Sequence, residues 1–300
     1  MNLPKMIVIC GPTASGKSAL AVEIAKAIGG EIISADSRQV YRGMDLGTGK
    51  VTKKEMAGVP HYMLDIADPK RQFSVAQFVK KAQRIAKDIS KRGKVPIVCG
   101  GTGFYIDTLV QGNALPEVPP NTELRKELSV LSKEQLLARL LTLDSERAET
   151  VDVQNPVRLV RAIEIATVLG SVPKVFTDPQ WNVLYIGLDT KDDNLKERIH
   201  ARLLARIRQG MIKEVSGLHE AGLSWKRLYS FGLEYRFVAD YLKKNISKEQ
   251  MITDLYSATW QYVKRQRTWF KRNKNIIWLD PTKKATLSKA TSLAKKHLRA

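Results

Sequence analysis

Met6-Ile7-Val8-Ile9-Cys10 runs directly into Gly11-Pro12-Thr13-Ala14-Ser15-Gly16-Lys17-Ser18 and then into Ala19-Leu20-Ala21-Val22-Glu23-Ile24-Ala25-Lys26-Ala27-Ile28. The first run is short and apolar and fits a buried parallel strand; the last continues as a helix. Between them stands G-x-x-x-x-G-K-[ST], a loop whose backbone N–H groups wrap a chain of phosphates, in the strand-loop-helix context that gives the pattern its meaning. Glycines let the backbone approach the phosphates, and the helix N-terminus adds partial positive charge. Lys17 reaches the outer phosphates and the Ser18 hydroxyl is placed to bind Mg²⁺. Gly11, Pro12, Thr13, Ala14, Ser15, Gly16, Lys17 and Ser18 are therefore the candidate polyphosphate-binding residues, with Ser18 the candidate Mg²⁺ ligand.

Outward from this loop the α/β pattern continues. Gly29-Gly30 stops the helix, and Glu31-Ile32-Ile33-Ser34-Ala35 predicts a second strand ending at Asp36-Ser37. Apolar residues at helical spacing predict a helix over 74–91, followed by a strand at Val95-Pro96-Ile97-Val98-Cys99 that enters Gly100-Gly101-Thr102-Gly103. Strands alternating with helices imply a parallel sheet, whose ligand crevice lies at the carboxyl ends of the strands. Residues 11–18, Asp36 and Thr102 should converge there. Leu115-Pro116-Glu117-Val118-Pro119-Pro120 interrupts the pattern, residues 121–169 read as charged helices, and Val183-Leu184-Tyr185-Ile186-Gly187-Leu188 resumes the strands. The expected architecture is a P-loop NTPase-like parallel sheet core flanked by helices, spanning 1–112 and 183–300, with a helical insertion domain at 113–182. Ile276-Ile277-Trp278-Leu279 is the expected last strand.

Fifty Lys and Arg against thirty Asp and Glu give a formal charge of +20, which favours a polyanionic partner. Cys10 and Cys99 each end an apolar run and read as buried core residues, and the four histidines form no cluster at zinc spacing. With no run of membrane-spanning length and no leader pattern, a cytoplasmic protein is expected. The phosphate loop by itself leaves kinases, ATPases and enzymes that expel diphosphate open. The strand at 95–99 ends without the carboxylate that motor-type NTPases use to hold Mg²⁺, and Asp36 is the first acid at the top of the sheet. Asp36 by itself fits a turn carboxylate as well as a catalytic one.

The stretch Ile33-Ser34-Ala35-Asp36-Ser37-Arg38-Gln39-Val40-Tyr41-Arg42-Gly43-Met44-Asp45-Leu46-Gly47-Thr48 closely resembles the signature of the tRNA dimethylallyltransferase (tRNA isopentenyltransferase, IPP transferase) family. The resemblance continues in Pro60-His61, Leu64-Asp65-Ile66, Ser74-Val75-Ala76-Gln77-Phe78 and Gly100-Gly101-Thr102-Gly103-Phe104-Tyr105. It extends to the segment from Asn155-Pro156 through Arg158 and Arg161 to Glu164, and to Lys264-Arg265-Gln266-Arg267-Thr268-Trp269-Phe270. These blocks run in order from residue 11 to 270. Two depart from the family pattern: Gly47-Thr48-Gly49-Lys50-Val51 stands where the family usually has Gly-Thr-Ala-Lys-Pro, and Phe231-Gly232-Leu233-Glu234-Tyr235 replaces the commoner Ile-Gly-Tyr-Lys-Glu. The chain has no C-terminal zinc finger of the kind found in many eukaryotic members, so it resembles the bacterial type.

The resemblance implies transfer of a dimethylallyl group from dimethylallyl diphosphate to N6 of adenosine 37, next to the tRNA anticodon. Lys17, the loop amides and Mg²⁺ at Ser18 would then neutralise the departing diphosphate, and Asp36 would orient the N6 amino group and accept its proton. Asp36, Ser37, Arg38, Gln39 and Thr102 resemble the family's tRNA-contact positions. Arg202, four residues after Arg198 on one helix face, is by similarity the diphosphate-holding arginine, although Arg206 and Arg208 continue the run as a solvated basic face would. Arg158 and Arg161 fit either tRNA phosphates or helix ion pairs. Lys264 to Arg272 suits RNA phosphates and stacked bases, or equally a helix with Trp269 and Phe270 buried. The expected partners are the tRNA anticodon stem-loop and dimethylallyl diphosphate, and the expected state is a monomer. A prenyltransferase acting on free AMP or ADP, an ATP-consuming kinase or RNA-binding protein, and a catalytically silent tRNA-binding protein are the competing readings. Excess positive charge and the insertion speak against the first, and intact Lys17, Ser18 and Asp36 against the last.

Overall fold

The strand Lys5–Cys10 (β1) sends successive side chains to opposite faces of a sheet, and both faces are covered. Met6, Val8 and Cys10 pack with Phe78, Ala82, Ala86, Ile89, Ile106 and Leu109, while Ile7 and Ile9 pack with Leu20, Ala21, Ile24, Ala290 and Ala294. A strand buried on both sides reads as a continuous apolar run, which is what residues 6–10 supply. The computed structural model describes residues 3–112, 115–174 and 176–300.

Among the described residues the order after β1 is α1 (Lys17–Ile28), β2 (Gly30–Ser34), α2 (Lys53–Met56), β3 (His61–Tyr62), α3 (Val75–Lys91), β4 (Val95–Gly100) and α4 (Gly103–Gln111). Then follow α5 (Thr122–Leu128), α6 (Lys133–Leu143), α7 (Ser145–Thr150), α8 (Pro156–Leu169), β5 (Asn182–Leu188), α9 (Asp192–Arg208) and α10 (Met211–Glu220). The chain ends with α11 (Trp225–Phe231), α12 (Leu233–Leu242), α13 (Lys248–Phe270), β6 (Ile276–Leu279) and α14 (Thr286–Arg299). The six strands form one parallel sheet in the order β3-β2-β4-β1-β5-β6. This is the P-loop NTPase-like α/β sheet that the sequence predicts, with β3 added: two residues are too few to carry an alternating pattern. Ser74 begins α3 with a capping box, its hydroxyl accepting from the Gln77 amide while the Gln77 side chain accepts from the Ser74 amide.

The chain divides into two units, Met1–Gln111 with Pro179–Ala300, and Gly112–Asp178. Asn113, the expected first residue of the insertion, lies outside the described residues. At the other end the second unit stops before the expected 182. Trp181 is buried in the cluster containing β1 residues, and the Asn182 amide donates to the Pro4 carbonyl, so this segment packs as core.

The second unit holds α5 to α8 around Leu128, Leu136, Leu140, Leu159, Ile163 and neighbours. Among its described residues the one buried carboxylate is Glu164, 1% exposed. Glu164 accepts from Arg125 Nε at 2.7 Å and Nη2 at 2.8 Å, from the Asn121 amide at 2.9 Å and from Arg161 Nη1 at 3.2 Å. Burial raises the Glu164 pKa, but these donors outweigh it and leave it below the usual carboxylate range. In the first unit, helices α10 to α13 close a separate cluster over Val40, Tyr41 and Met44, which fixes the segment that follows Asp36.

Candidate active site

The phosphate loop is held in conformations that few residues allow. Gly11 has φ +141°, and a Cβ there would lie 2.2 Å from the Leu188 carbonyl at the end of β5, so no side chain fits. Ala14 sits at φ 63°, a left-handed value that a non-glycine residue adopts at a cost of roughly 1–2 kcal/mol. Gly16 precedes α1 in a left-handed conformation and offers no side-chain cap, so the first helical N–H groups are left for an anion. Lys17 Nζ donates to the Pro12 carbonyl at 3.0 Å, turning the ammonium back over the loop.

Arg202 reaches the same loop from α9, donating from Nη2 to the Thr13 hydroxyl. Burial lowers the pKa of Lys17, and the nearby charge of Arg202 adds to the effect. Burial and then Arg206 lower that of Arg202 to about 9. Asp36 and Glu234 oppose this only in part, so an anion placed between the two cations would be favoured.

Asp36 follows β2 and sits at the top of the sheet. Its Oδ1 accepts from the amides of Arg38 at 2.8 Å and Gln39 at 3.3 Å, a local turn that fixes the carboxylate. Oδ2 has no hydrogen bond among the described residues. Thr102 comes to the same place because β2 and β4 are neighbours: its hydroxyl accepts from the Ser37 amide at 3.2 Å, and its own amide donates to the Ala35 carbonyl at 3.2 Å. A Cβ at Gly100 would stand 2.1 Å from that carbonyl, so glycine is required for the strand ends to close.

Two cavities meet here. One of ≈ 80 Å³ is lined by Thr13, Lys17, Ser18, Arg202 and Arg206, with Asp36 its only carboxylate among the described residues. The other, of ≈ 470 Å³, is lined by Ser37, Arg38, Phe231, Glu234, Tyr262 and Arg265 among others. Thr13, Asp36, Thr48 and Arg206 border both. The arrangement can hold a small polyanion in the first space and a planar group in the second, with a carboxylate between them. Of the residues singled out from sequence, 11–18, Asp36, Ser37, Arg38, Gln39, Thr102 and Arg202 surround these spaces or their immediate supports. Arg158 and Arg161 belong to the other unit, where Arg158 pairs with Asp152 at 3.0 Å and Arg161 bonds Glu164 and the Val118 carbonyl.

Part of the Lys264 to Arg272 segment is structural, while Arg265 lines the larger cavity and Lys264, Lys271 and Arg272 are exposed. Gln266 and Phe270 are buried, Trp269 Nε1 donates to Asp107 at 2.8 Å, and Arg267 is tied to Asp189 and Asp192. Sequence reasoning missed Gln266, which accepts from the Thr13 amide and donates to the Gly101 carbonyl, both at 2.9 Å, clamping the phosphate loop to the loop after β4. It missed Tyr262, whose pKa burial raises to about 12, with Asp36 adding to the effect and the contact with Thr102 opposing it. It also missed Glu214, which accepts from the amides of Asp45, Leu46 and Gly47 and so shapes the loop opposite. The Lys-Arg-Gln-Arg block was the only signal for Gln266. Among the described residues no cluster of three or more His, Cys, Asp or Glu could hold a metal ion.

Comparison with known proteins adds the following. The family model described as IPP transferase matches residues 39–273. tRNA dimethylallyltransferase 1 of Geotalea daltonii is 43% identical over 279 residues, covering 92% of this chain and 90% of its own. tRNA dimethylallyltransferase 2 of Treponema denticola is 45% identical over 272 residues, covering 89% and 91%. Among solved structures, the tRNA delta(2)-isopentenylpyrophosphate transferase of Staphylococcus epidermidis superposes with TM-score 0.73 at 38% identity, covering 99% of each chain. A eukaryotic dimethylallyltransferase acting on tRNA superposes with TM-score 0.81 at 25% identity, covering 99% of this chain and 78% of that one.

Proposed function

The chain belongs to the IPP transferase family, and from that premise we propose how its residues carry the reaction. The protein is an enzyme that transfers a dimethylallyl group to adenosine 37 of tRNA. The donor we assign is dimethylallyl diphosphate, with its diphosphate in the cationic cavity and the adenine in the larger one. The observation that carries this is the cavity in which Lys17, Arg202 and Arg206 face a single carboxylate, Asp36.

An adenine amino group is a weak nucleophile and the allylic carbon develops cationic character, so the barrier falls chiefly by stabilising the leaving diphosphate. Lys17, Arg202 and the amides of Gly11 to Ser18 take up that charge. The N6–carbon bond forms as the carbon–oxygen bond to diphosphate breaks. Asp36, anchored through Oδ1, receives the N6 proton on Oδ2. Ser18 would hold Mg²⁺ together with diphosphate oxygens and water, and the ion when bound supplies further neutralisation of the leaving group. Ser37 and Arg38 border the adenine space, Gln39 lines the smaller cavity, and Thr102 supports the Ser37 amide. For the anticodon stem-loop we assign Arg158, whose pair with Asp152 is exposed, as an RNA contact of the second unit, while Arg161 supports Glu164. The enzyme acts as a monomer in the cytoplasm on this reading; among the described residues no helix is long and apolar enough to cross a membrane.

The test is incubation with radiolabelled dimethylallyl diphosphate, Mg²⁺ and unmodified tRNA, without ATP, followed by nucleoside analysis. Labelled N6-(dimethylallyl)adenosine with one diphosphate released per transfer is the expected result. A requirement for ATP hydrolysis would return the loop to a nucleotide-consuming role.

A further inference from the structure

Two departures from the family pattern, at Gly49 and at Glu234, meet in space at one side chain. Arg206, on α9, pairs through Nη1 with Glu234 Oε1 at 3.4 Å. A Cβ at Gly49 would lie 1.5 Å from Arg206 Nη2 and 2.5 Å from its Cζ. The guanidinium therefore occupies the space that an alanine at position 49 would fill. Both partners are largely enclosed, Arg206 being 12% and Glu234 17% exposed. Loop 45–50 cannot easily retreat, since the Gly49 amide donates to the Leu46 carbonyl, the Gly49 carbonyl accepts from Gln39 Nε2, and Glu214 holds three further amides. Arg206 Nε and Nη2 make no hydrogen bond among the described residues, and the side chain borders both cavities.

We propose that Arg206 is a second arginine contact for the donor's diphosphate, admitted by Gly49 and held in place by Glu234, so that the three residues work as one device. Glu234 is the positioning residue: it fixes the guanidinium through one nitrogen and leaves the others for the ligand. A side chain so enclosed, with two nitrogens unengaged and a neighbouring arginine on the same helix face, is stable in this place when an anion lies between the two arginines. The neighbour is Arg202, one helical turn earlier on α9. Gly49 stands at φ +60°, where alanine carries a strain of roughly 1–2 kcal/mol, but because the clash involves the far end of a flexible side chain, Gly49→Ala displaces Arg206 rather than breaking the fold.

The inference rests on the diphosphate reading of the cavity, and one set of measurements separates the two. Inorganic pyrophosphate is used as an inhibitor, and its inhibition constant is measured with KM for the donor and for tRNA. Arg206→Met should raise the inhibition constant and the donor KM about tenfold or more, the loss of one charge-assisted contact, with the tRNA KM unchanged. Arg206→Lys, which keeps a charge, should lose less. Gly49→Ala and Glu234→Gln should each raise the inhibition constant several-fold, and neither should add anything in the Arg206→Met background. An unchanged inhibition constant in a folded Arg206→Met protein, additive effects of the three changes, or a rise in tRNA KM instead would overturn the proposal. Failure of pyrophosphate to inhibit the wild type would overturn the diphosphate reading and this inference with it.

Discussion

Arg202 beside the phosphate loop and Arg125 in the helical unit both sit at the edge of a buried polar cluster, yet their surroundings differ in sign. Arg125 meets a carboxylate: Glu164 takes two of its nitrogens and an additional contact from Arg161, and the cluster is complete within the protein. Arg202 meets a hydroxyl, a lysine and a second arginine, and its pKa falls to about 9 under burial and the charge of Arg206. One cluster is finished by folding. The other, on the proposed reading, is finished by a ligand. Positive charge in itself says little about function; the informative quantity is whether the fold supplies the counter-charge.

Substitutions at the carboxylates of the two regions should separate sharply. Asp36 makes no ion pair among the described residues, so Asp36→Asn should leave the melting temperature nearly unchanged while kcat falls about 10²- to 10⁴-fold, the range for a positioned proton acceptor. Steady-state kinetics beside a melting curve checks both halves. Glu164→Ala leaves the Asn121 amide and the half-exposed Arg125 without their acceptor and should destabilise the helical unit by about 1–3 kcal/mol, read by hydrogen exchange over 112–178, with protection of β1 and α1 retained. Equal loss of protection in both regions would dissolve the distinction.

Lys17→Ala should lower kcat/KM for the donor by about 10²- to 10³-fold, as removal of one preorganised donor to a developing anion does. Acid should act on the other cluster. Glu164 is depressed in the folded protein, so its contribution is whole above the unfolded value of about 4.3 and is lost as pH falls through its lower folded value. The exchange rates of 112–178 should therefore rise below about pH 4.3 in the wild type by more than in Glu164→Gln. Arg158→Ala is the smallest change. Its exposed pair contributes about 0–1 kcal/mol, so stability should hold while the plot of log tRNA affinity against log salt becomes shallower by roughly 0.7 to 0.9. An unaltered slope would remove Arg158 from the RNA surface.

What was legible in the sequence was local. Strand, glycine loop and helix at 5–28 are written in consecutive residues, as are the apolar spacing of the helix over 74–91 and the proline interruption at 115–120. The convergence of Asp36 and Thr102 followed from strand ends sharing one edge of a parallel sheet. Contacts made by helices distant in sequence were not legible: Gln266 reaches the Thr13 amide across 253 positions, and the Lys-Arg-Gln-Arg block around it says nothing of that partner. Glu234 looked like a mere departure until Arg206 and Gly49 were seen against it. Trp269 and Arg267 carried the residue types of an RNA surface, yet neighbours from α4 and the loop after β5 had already taken them.

The central claim is that the cations over the phosphate loop await a diphosphate, and the most direct measurement is the melting temperature of the tRNA-free protein titrated with inorganic pyrophosphate. At one hundred times its dissociation constant the ligand should stabilise the wild type by about 2.7 kcal/mol. The same shift should persist in Arg158→Ala and be largely lost in Lys17→Ala. A wild type that pyrophosphate leaves unshifted, or a Lys17→Ala protein shifted as much as the wild type, would contradict the account.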